Sequence, residues 1–342
     1  MGEHLGPEDY TAVPKVELHQ HVDGSIPAEV TWQLMIGNGL APVGTFDEMR
    51  RLLALQPEEE GSLLAYLDKF HYPLWVTQFY DNIAEAAFRI AEAAWKHGVR
   101  GLELRYGPNI HTYAGLTLRQ SITSVLSGLN RAEAELQGMR CGLVVIAMRQ
   151  YGPHIAKILA RQAVSEAQYL HDRVGVVGFD IAGAERGNPP HLFREAFDIA
   201  RLGRLGLTVH AGEEGPPAYI WQAIDEIGTK RIGHGCSAVR DPELMRRLAR
   251  DQVVVECCLT SNYQTNAAKK GEPHPIVRLL EAGVPVAICT DNTTVSDTDQ
   301  DRECARAAAQ VGDAAVREIL AATPAYSFIR GLRLHRRASS RP

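Results

Sequence analysis

Eight short apolar or β-branched runs recur along the 342 residues, most of them separated by stretches with helical spacing. They are Val16–His21, Gly101–Tyr106, Cys141–Met148, Val176–Ile181, Leu207–His210, Arg231–His234, Val253–Cys258 and Val284–Thr290. Helical periodicity covers Leu192–Leu205, Ala218–Ile227, Pro242–Arg250 and His274–Ala282. Strand and helix in alternation mean parallel strands joined by right-handed crossovers. Eight such units in a chain of this length predict an α/β fold closed into a (β/α)8 TIM barrel, in preference to an open doubly wound sheet. No strand runs into a GxGxxG or GxxxxGK[ST] loop, which argues against dinucleotide binding and nucleotide hydrolysis by a phosphate loop.

One connection is far longer than the others. From Gly24 to about Gly98 no barrel strand is legible, only helical patterns and a turn at Pro57–Gly61. The expected organisation is one domain over 1–342, with a helical insertion at about 25–98 between the first two strands. Long connections of this kind usually form lids or binding elements. Within it, Phe70-His71-Tyr72-Pro73-Leu74-Trp75 reads either as helix packing or as the apolar wall of a pocket. The basic tail from about 330 to 342 reads as a frayed end.

Composition limits the partners. Hydrophobic residues at 45% suffice for a large core, and a formal charge of −5 gives no clustered positive face for nucleic acid. No apolar run approaches the ~20 residues that span a bilayer, so no membrane partner is expected. The opening MGEHLGPEDYTAVPK has neither the basic start nor the apolar stretch of a secretion signal. Six scattered cysteines without a CxxC pair read as small core residues in a reducing, cytoplasmic compartment. Oligomeric state is not legible.

Polar groups of a different kind stand at the strand ends. The first strand ends His19-Gln20-His21, and residues two apart in a strand face the same way, so both imidazoles reach one point. The fifth ends His210-Ala211-Gly212-Glu213, the sixth carries Gly233-His234-Gly235, and the eighth ends Thr290-Asp291-Asn292. All four clusters fall at the C-terminal ends of strands, the side where barrels place their chemistry. Three histidines and an aspartate suit one zinc ion and leave a position for water, whose pKa zinc lowers to about 7. Glu213 and His234 remain as proton-handling groups. Their plainer readings are a carboxylate on a surface turn and a histidine packed between glycines.

PKVELHQHVDGS, VGFDIAGAE, TVHAGEEG, RIGHG, CLTSNYQT and ICTDN, in this order from about Pro14 to Asn292, closely resemble the adenosine deaminase family of the amidohydrolase superfamily. The resemblance implies one zinc held by His19, His21, His210 and Asp291. It makes Glu213 the donor of a proton to purine N1, and it has His234 orient the attacking water and assist its deprotonation. The Gly183 backbone would contact the purine ring and Asp23 the sugar hydroxyls, although Asp23-Gly24 also reads as a simple turn. Binuclear members of the superfamily typically carry a lysine at the end of strand four. Val176–Glu185 has none, which favours one metal. The chain departs from the pattern at Asn292, where the family has a second aspartate that hydrogen-bonds N7. An asparagine amide can donate there without needing to be protonated.

The resemblance thus implies zinc-dependent removal of the 6-amino group from adenosine or 2′-deoxyadenosine, giving inosine or 2′-deoxyinosine and ammonia. Alternatives keep the reaction and change the substrate to 6-aminodeoxyfutalosine, 5′-deoxyadenosine or free adenine. An inert binding protein would be favoured had a ligand or Glu213 been missing. An amide or ester hydrolase would not need Glu213 paired with His234.

Overall fold

A computed structural model describes residue 6 and residues 10–171 and 173–334. Eight parallel strands lie in sequential order: β1 Lys15–His21, β2 Val99–Tyr106, β3 Arg140–Met148, β4 Val176–Ala182, β5 Gly206–Ala211, β6 Arg231–His234, β7 Val254–Cys257 and β8 Val286–Ile288. Each pairs with the next, and the ring is drawn together at its top between β1 and β8. There the His21 amide donates to the Asp291 carbonyl at 2.8 Å and the Asp291 amide to the His19 carbonyl at 2.8 Å. The (β/α)8 reading of the sequence is thus borne out. Strand β8 is shorter than its apolar run: Val284 closes the preceding turn, Pro285 has no N–H to give the ladder, and the Thr290 amide turns to the Glu17 carboxylate at 3.1 Å.

Five α-helices fill the long connection: Ala28–Gly37, Phe46–Leu53, Leu63–Asp68, His71–Val76 and Tyr80–Lys96. Met35, Met49, Leu53 and Val76 give this insertion an apolar centre of its own. It is tied to the loops after β7 and β8 by Gly61 N to Gln264 O at 2.6 Å, Leu55 N to Val295 O at 2.8 Å and Tyr66 Oη to Ser296 Oγ at 2.7 Å. The insertion therefore lies over the C-terminal mouth of the barrel. Of the apolar stretch at 70–75, Phe70 faces that mouth, while the rest forms the helix His71–Val76.

Helices elsewhere are trimmed by their end chemistry. Leu192–Leu205 narrows to Arg194–Leu202, entered through a 3₁₀ turn at Pro190–Phe193. Ala218–Ile227 begins one residue earlier as an α-helix, Pro217–Gln222, and widens into a π turn at Ala223–Ile227. There Gly228 adopts φ 74° and stops it. At the opposite end of the barrel Phe328 lies against the Arg231 guanidinium, 3.9 Å from ring centre to Cζ, and against Gly178 and Gly206. Leu332 packs on Val16 and Gly101, so the tail is docked at that point; residues 335–342 lie outside the described residues.

The barrel interior carries charge beside its apolar residues. Glu17, Glu103, Arg105, Asp180, Arg231 and Glu256 are all buried in it. Arg105 reaches Asp180 Oδ2 at 2.6 Å and also touches Glu256, while Arg231 holds Glu256 Oε1 at 2.6 Å and Glu103 Oε2 at 2.7 Å. Both arginines also donate to the Leu18 carbonyl, at 3.1 Å each, where the pairing of β1 with β2 slips. The Glu17 carboxylate takes the His19 amide at 2.8 Å on the same irregular stretch.

In the outer ring the helix Tyr80–Lys96 packs against Leu118–Glu135. A Cβ on Gly128 would fall 2.1 Å from the Ala84 carbonyl oxygen and 2.9 Å from Ala87 Cβ, both on a neighbouring helix that cannot yield cheaply. Gly128→Ala is therefore expected to destabilise the protein by about 1–3 kcal/mol despite alanine's better helix propensity. Denaturant titration checks this, and a variant as stable as the parent would show that the helices separate without cost.

Candidate active site

Three imidazoles and a carboxylate converge at the C-terminal mouth. His19 Nε2 and His21 Nε2 are 3.1 Å apart, and His210 Nε2 is 3.3 Å from His21 Nε2. Asp291 Oδ1 stands 3.3 Å from His21 Nε2 and 3.7 Å from His19 Nε2. Four donors at zinc–ligand lengths of about 2.0–2.1 Å would be about 3.3 Å apart on a tetrahedron, with angles of 90° to 120° spreading that to about 2.9–3.6 Å. Three of these four separations fall in that range and the fourth lies just beyond it; His19, His21 and His210 group as one candidate set for a divalent ion, and Asp291, close to His19 and His21, also groups with His19 and His234. Without a cation between them they would be four lone-pair atoms crowded together in a buried place. A further trio, His97, Asp299 and Asp301, is already neutralised, since Lys15 Nζ lies 2.8 Å from Asp301 Oδ1.

Electrostatics and orientation agree with that fit. Burial holds His19, His21, His210 and His234 well below the usual imidazole pKa, so each keeps a lone pair at neutral pH. His19 Nδ1 is 2.9 Å from Glu256 Oε2, which puts its proton there and leaves Nε2 free as a ligand. Asp180 Oδ2 lies 2.8 Å from His210 Nδ1, and Asp180 Oδ1 accepts the His210 amide at 3.2 Å. Burial alone would raise the pKa of Glu256, but Arg105 and Arg231 outweigh it and hold the carboxylate ionised. Ser261 Oγ donates to Asp291 Oδ2 at 2.5 Å and leaves Oδ1 turned to the imidazoles. Burial raises the Asp291 pKa to about 7; a cation at the imidazoles would restore its charge.

The strand ends carry unusual backbone. His234 and Asp291 adopt φ 64° and 65°, left-handed conformations that cost a non-glycine residue about 1 kcal/mol or more and persist only where the surroundings fix them. Between β5 and the next helix, Glu185 accepts the backbone amides of Gly212 at 2.6 Å, Glu214 at 2.9 Å and Gly215 at 2.8 Å. This carboxylate therefore shapes the loop that aims Glu213 into the cavity. The Glu213 side chain is only 11% exposed, and burial together with the negative charges of Asp291 and Glu185 pushes its pKa well above the usual carboxylate range. Its Oε2 lies 3.6 Å from His234 Nε2.

All nine residues singled out in the sequence stand at this mouth. Eight of them line the cavity, and His19 sits directly beneath. Gly183, with φ 87°, leaves a gap beside Met148 and Gln150 that a side chain would fill. Asp23 Oδ1 is held by His111 Nε2 at 2.7 Å, and His111 Nδ1 lies 2.9 Å from both the carbonyl and hydroxyl oxygens of Thr77. Asn292 packs on Gly24, where any Cβ would collide with it, and its Oδ1 is buried without a partner. The cavity is about 40 Å³ and is closed by Leu63, Tyr66, Leu67 and Phe70 of the insertion. A roomier cleft of about 440 Å³ on the other side of β1 and β8 contains none of these nine residues. Residues that went unremarked in the sequence are Glu185 and Asp180, within VGFDIAGAE, and Ser261 and Asn262, within CLTSNYQT. His111 and the lid residues Leu63, Tyr66 and Leu67 lie outside every motif.

Comparison with known proteins agrees with this geometry. The family model described as adenosine deaminase matches residues 14–327. An adenosine deaminase of Enterococcus faecalis is 35% identical over 294 residues, covering 85% of this chain and 84% of that protein. Among solved structures, an adenine deaminase from Arthrobacter aurescens superposes with a TM-score of 0.83 at 26% identity, covering 93% of this chain and 94% of the other. An N6-methyl-AMP deaminase from Arabidopsis thaliana gives 0.82 at 25% identity, covering 95% of each. The chain belongs to the adenosine deaminase family, hydrolases that remove an amino group from a purine.

Proposed function

We propose that this chain binds one zinc ion through His19, His21, His210 and Asp291 and deaminates the 6-amino position of an adenosine-like nucleoside. The observation that carries the reading is Glu213: a carboxyl group 3.6 Å from His234 that faces the same cavity as the metal donors, its pKa driven up by burial. Its proton goes to purine N1, which draws electron density from C6 and prepares that carbon for attack. When bound, the metal supplies Lewis acidity that brings the pKa of a water to about 7. His234 orients that water. The carbon becomes tetrahedral; Glu213, now a carboxylate, takes the hydroxyl proton and passes it to the amine, which leaves as ammonia, and a 6-oxo purine protonated at N1 remains while the proton lost by water restores Glu213.

The same cavity suggests how the rest of the substrate is held. In this reading the Gly183 backbone flanks the ring, the Asn292 amide donates to N7, and the second oxygen of Asp23 takes a sugar hydroxyl. The lining, among the described residues, contains no lysine or arginine and does contain Asp23, which disfavours a 5′-phosphate. Since 40 Å³ is little more than the share of one water, about 30 Å³, a purine enters only if the segment from Leu63 to Phe70 withdraws. Six buried free thiols fit a reducing compartment such as the cytoplasm.

Ammonia release by the zinc-loaded protein tests the substrate directly, over adenosine, 2′-deoxyadenosine, 5′-deoxyadenosine, 6-aminodeoxyfutalosine, adenine and AMP. Adenosine-like nucleosides should be turned over best and AMP hardly at all; preference for adenine or AMP would overturn the nucleoside assignment. Metal analysis should find about one zinc per chain, with content and activity both reduced when His19, His21, His210 or Asp291 becomes alanine. Full activity in a metal-free preparation would end the zinc reading. Glu213→Gln keeps size and metal but has no acidic proton, so turnover should fall at least about 10²-fold while substrate still binds. Parent-like turnover would remove Glu213 as the acid.

A further inference from the structure

His234 meets the cavity with one ring nitrogen and a buried side-chain pair with the other. Asn262 Nδ2 lies 2.9 Å from His234 Nδ1, and Asn262 Oδ1 lies 3.0 Å from His274 Nε2. His274 Nδ1 in turn accepts the backbone amide of Ile276 at 3.0 Å. Asn262 is fully buried and His274 almost so.

The direction of every hydrogen bond follows from the last one. A backbone N–H can only donate, so His274 Nδ1 carries no proton. Burial pushes the His274 pKa down to about 3, so this ring is neutral and its one proton sits on Nε2. That N–H needs an acceptor, which turns the Asn262 carbonyl oxygen towards His274 and the NH₂ towards His234. The orientation of an asparagine amide is often a matter of choice; here the backbone at Ile276 decides it. Asn262 therefore donates to His234 Nδ1, which has to offer a lone pair. A proton on Nδ1, whether in the other tautomer or in the imidazolium, would set N–H against N–H in a buried place.

We infer that Asn262 and His274 form a positioning relay that keeps the proton of His234 on Nε2, so that this ring donates a hydrogen bond to the oxygen attacking C6. The ring then stabilises negative charge growing on that oxygen and takes no proton from it. His234 Nε2 already faces Glu213 Oε2 at 3.6 Å, and its ring centre lies 4.9 Å from that of His19 and 5.1 Å from that of His210, the rings that bear the metal donors. The inference rests on the deaminase reading only for what the ring touches during reaction; the proton's position is a property of the folded chain.

Asn262→Asp tests it with a change of nearly equal size. A carboxylate still accepts from His274 Nε2–H but cannot donate to His234, and it draws the proton of that ring to Nδ1. The first readout is the ¹⁵N NMR spectrum of histidine-labelled, zinc-loaded full-length protein, with His234 assigned by its loss in His234→Gln. The parent should carry the proton on Nε2 alone, and Asn262→Asp should carry one on Nδ1. The second readout is kinetic: kcat should fall on the order of 10²-fold or more, with KM and zinc content close to the parent's. A parent His234 protonated on Nδ1 overturns the relay, and that spectrum decides even if the variant does not fold. Unchanged kcat in a folded variant whose proton has moved would overturn the donor role. If the parent deaminates no purine, the NMR result still stands, so the two readings fail separately.

Discussion

Arg105 lies wholly inside the barrel and holds two carboxylates, Asp180 and Glu256, each of which lies against an imidazole of the proposed metal site on its other side. Glu256 receives His19 Nδ1–H, and Asp180 stands beside His210 Nδ1. Arg105 thus pairs with both carboxylates: with Arg231 it holds Glu256 ionised, it offsets part of the burial that raises the pKa of Asp180, and Glu256 fixes the orientation of His19. Removing one member of such a network leaves an unpaired buried charge, which costs about 3–5 kcal/mol. The charges are also placed where an apolar core could not do the same work, since a ligand histidine needs an acceptor behind it. The left-handed backbone at His234 and Asp291 is held above this layer.

The fold was legible because the strand code is local. Each strand is a short run with a different helical period on either side, and all eight runs fall on observed strands. Their limits were less legible, since these depend on partners distant in sequence. Strand β8 loses its last residue to Glu17, and its first to a turn closed by Leu279 and a proline. The insertion was readable as helical but not as a lid. Gly61 and Tyr66 show their role only when Gln264 and Ser296 are brought near from more than two hundred residues away.

The site was legible where one strand or one turn displays it. His19 and His21 announce themselves by spacing, and His210, Glu213, His234 and Asp291 by ending strands. The supporting groups do not. Glu185 acts through three amides of another loop, and His111 matters only because Asp23 meets it. Asn262 and His274 are twelve residues apart with no periodic relation. The family resemblance gives His234 a share in deprotonating the water; the hydrogen bonds behind the ring give it a fixed proton instead. Asn292, the position where the chain departs from the family's pattern, shows an oxygen buried against Gly24.

The whole account depends on four side chains from two strand ends and the β8 turn meeting at one ion. Zinc K-edge X-ray absorption of the purified, zinc-loaded chain tests that meeting most directly. The account predicts nitrogen and oxygen donors only, at about 2.0–2.1 Å, with imidazole outer-shell scattering and no second metal at about 3.5–4 Å. A sulfur shell near 2.3 Å, or a metal–metal distance in that range, would contradict it.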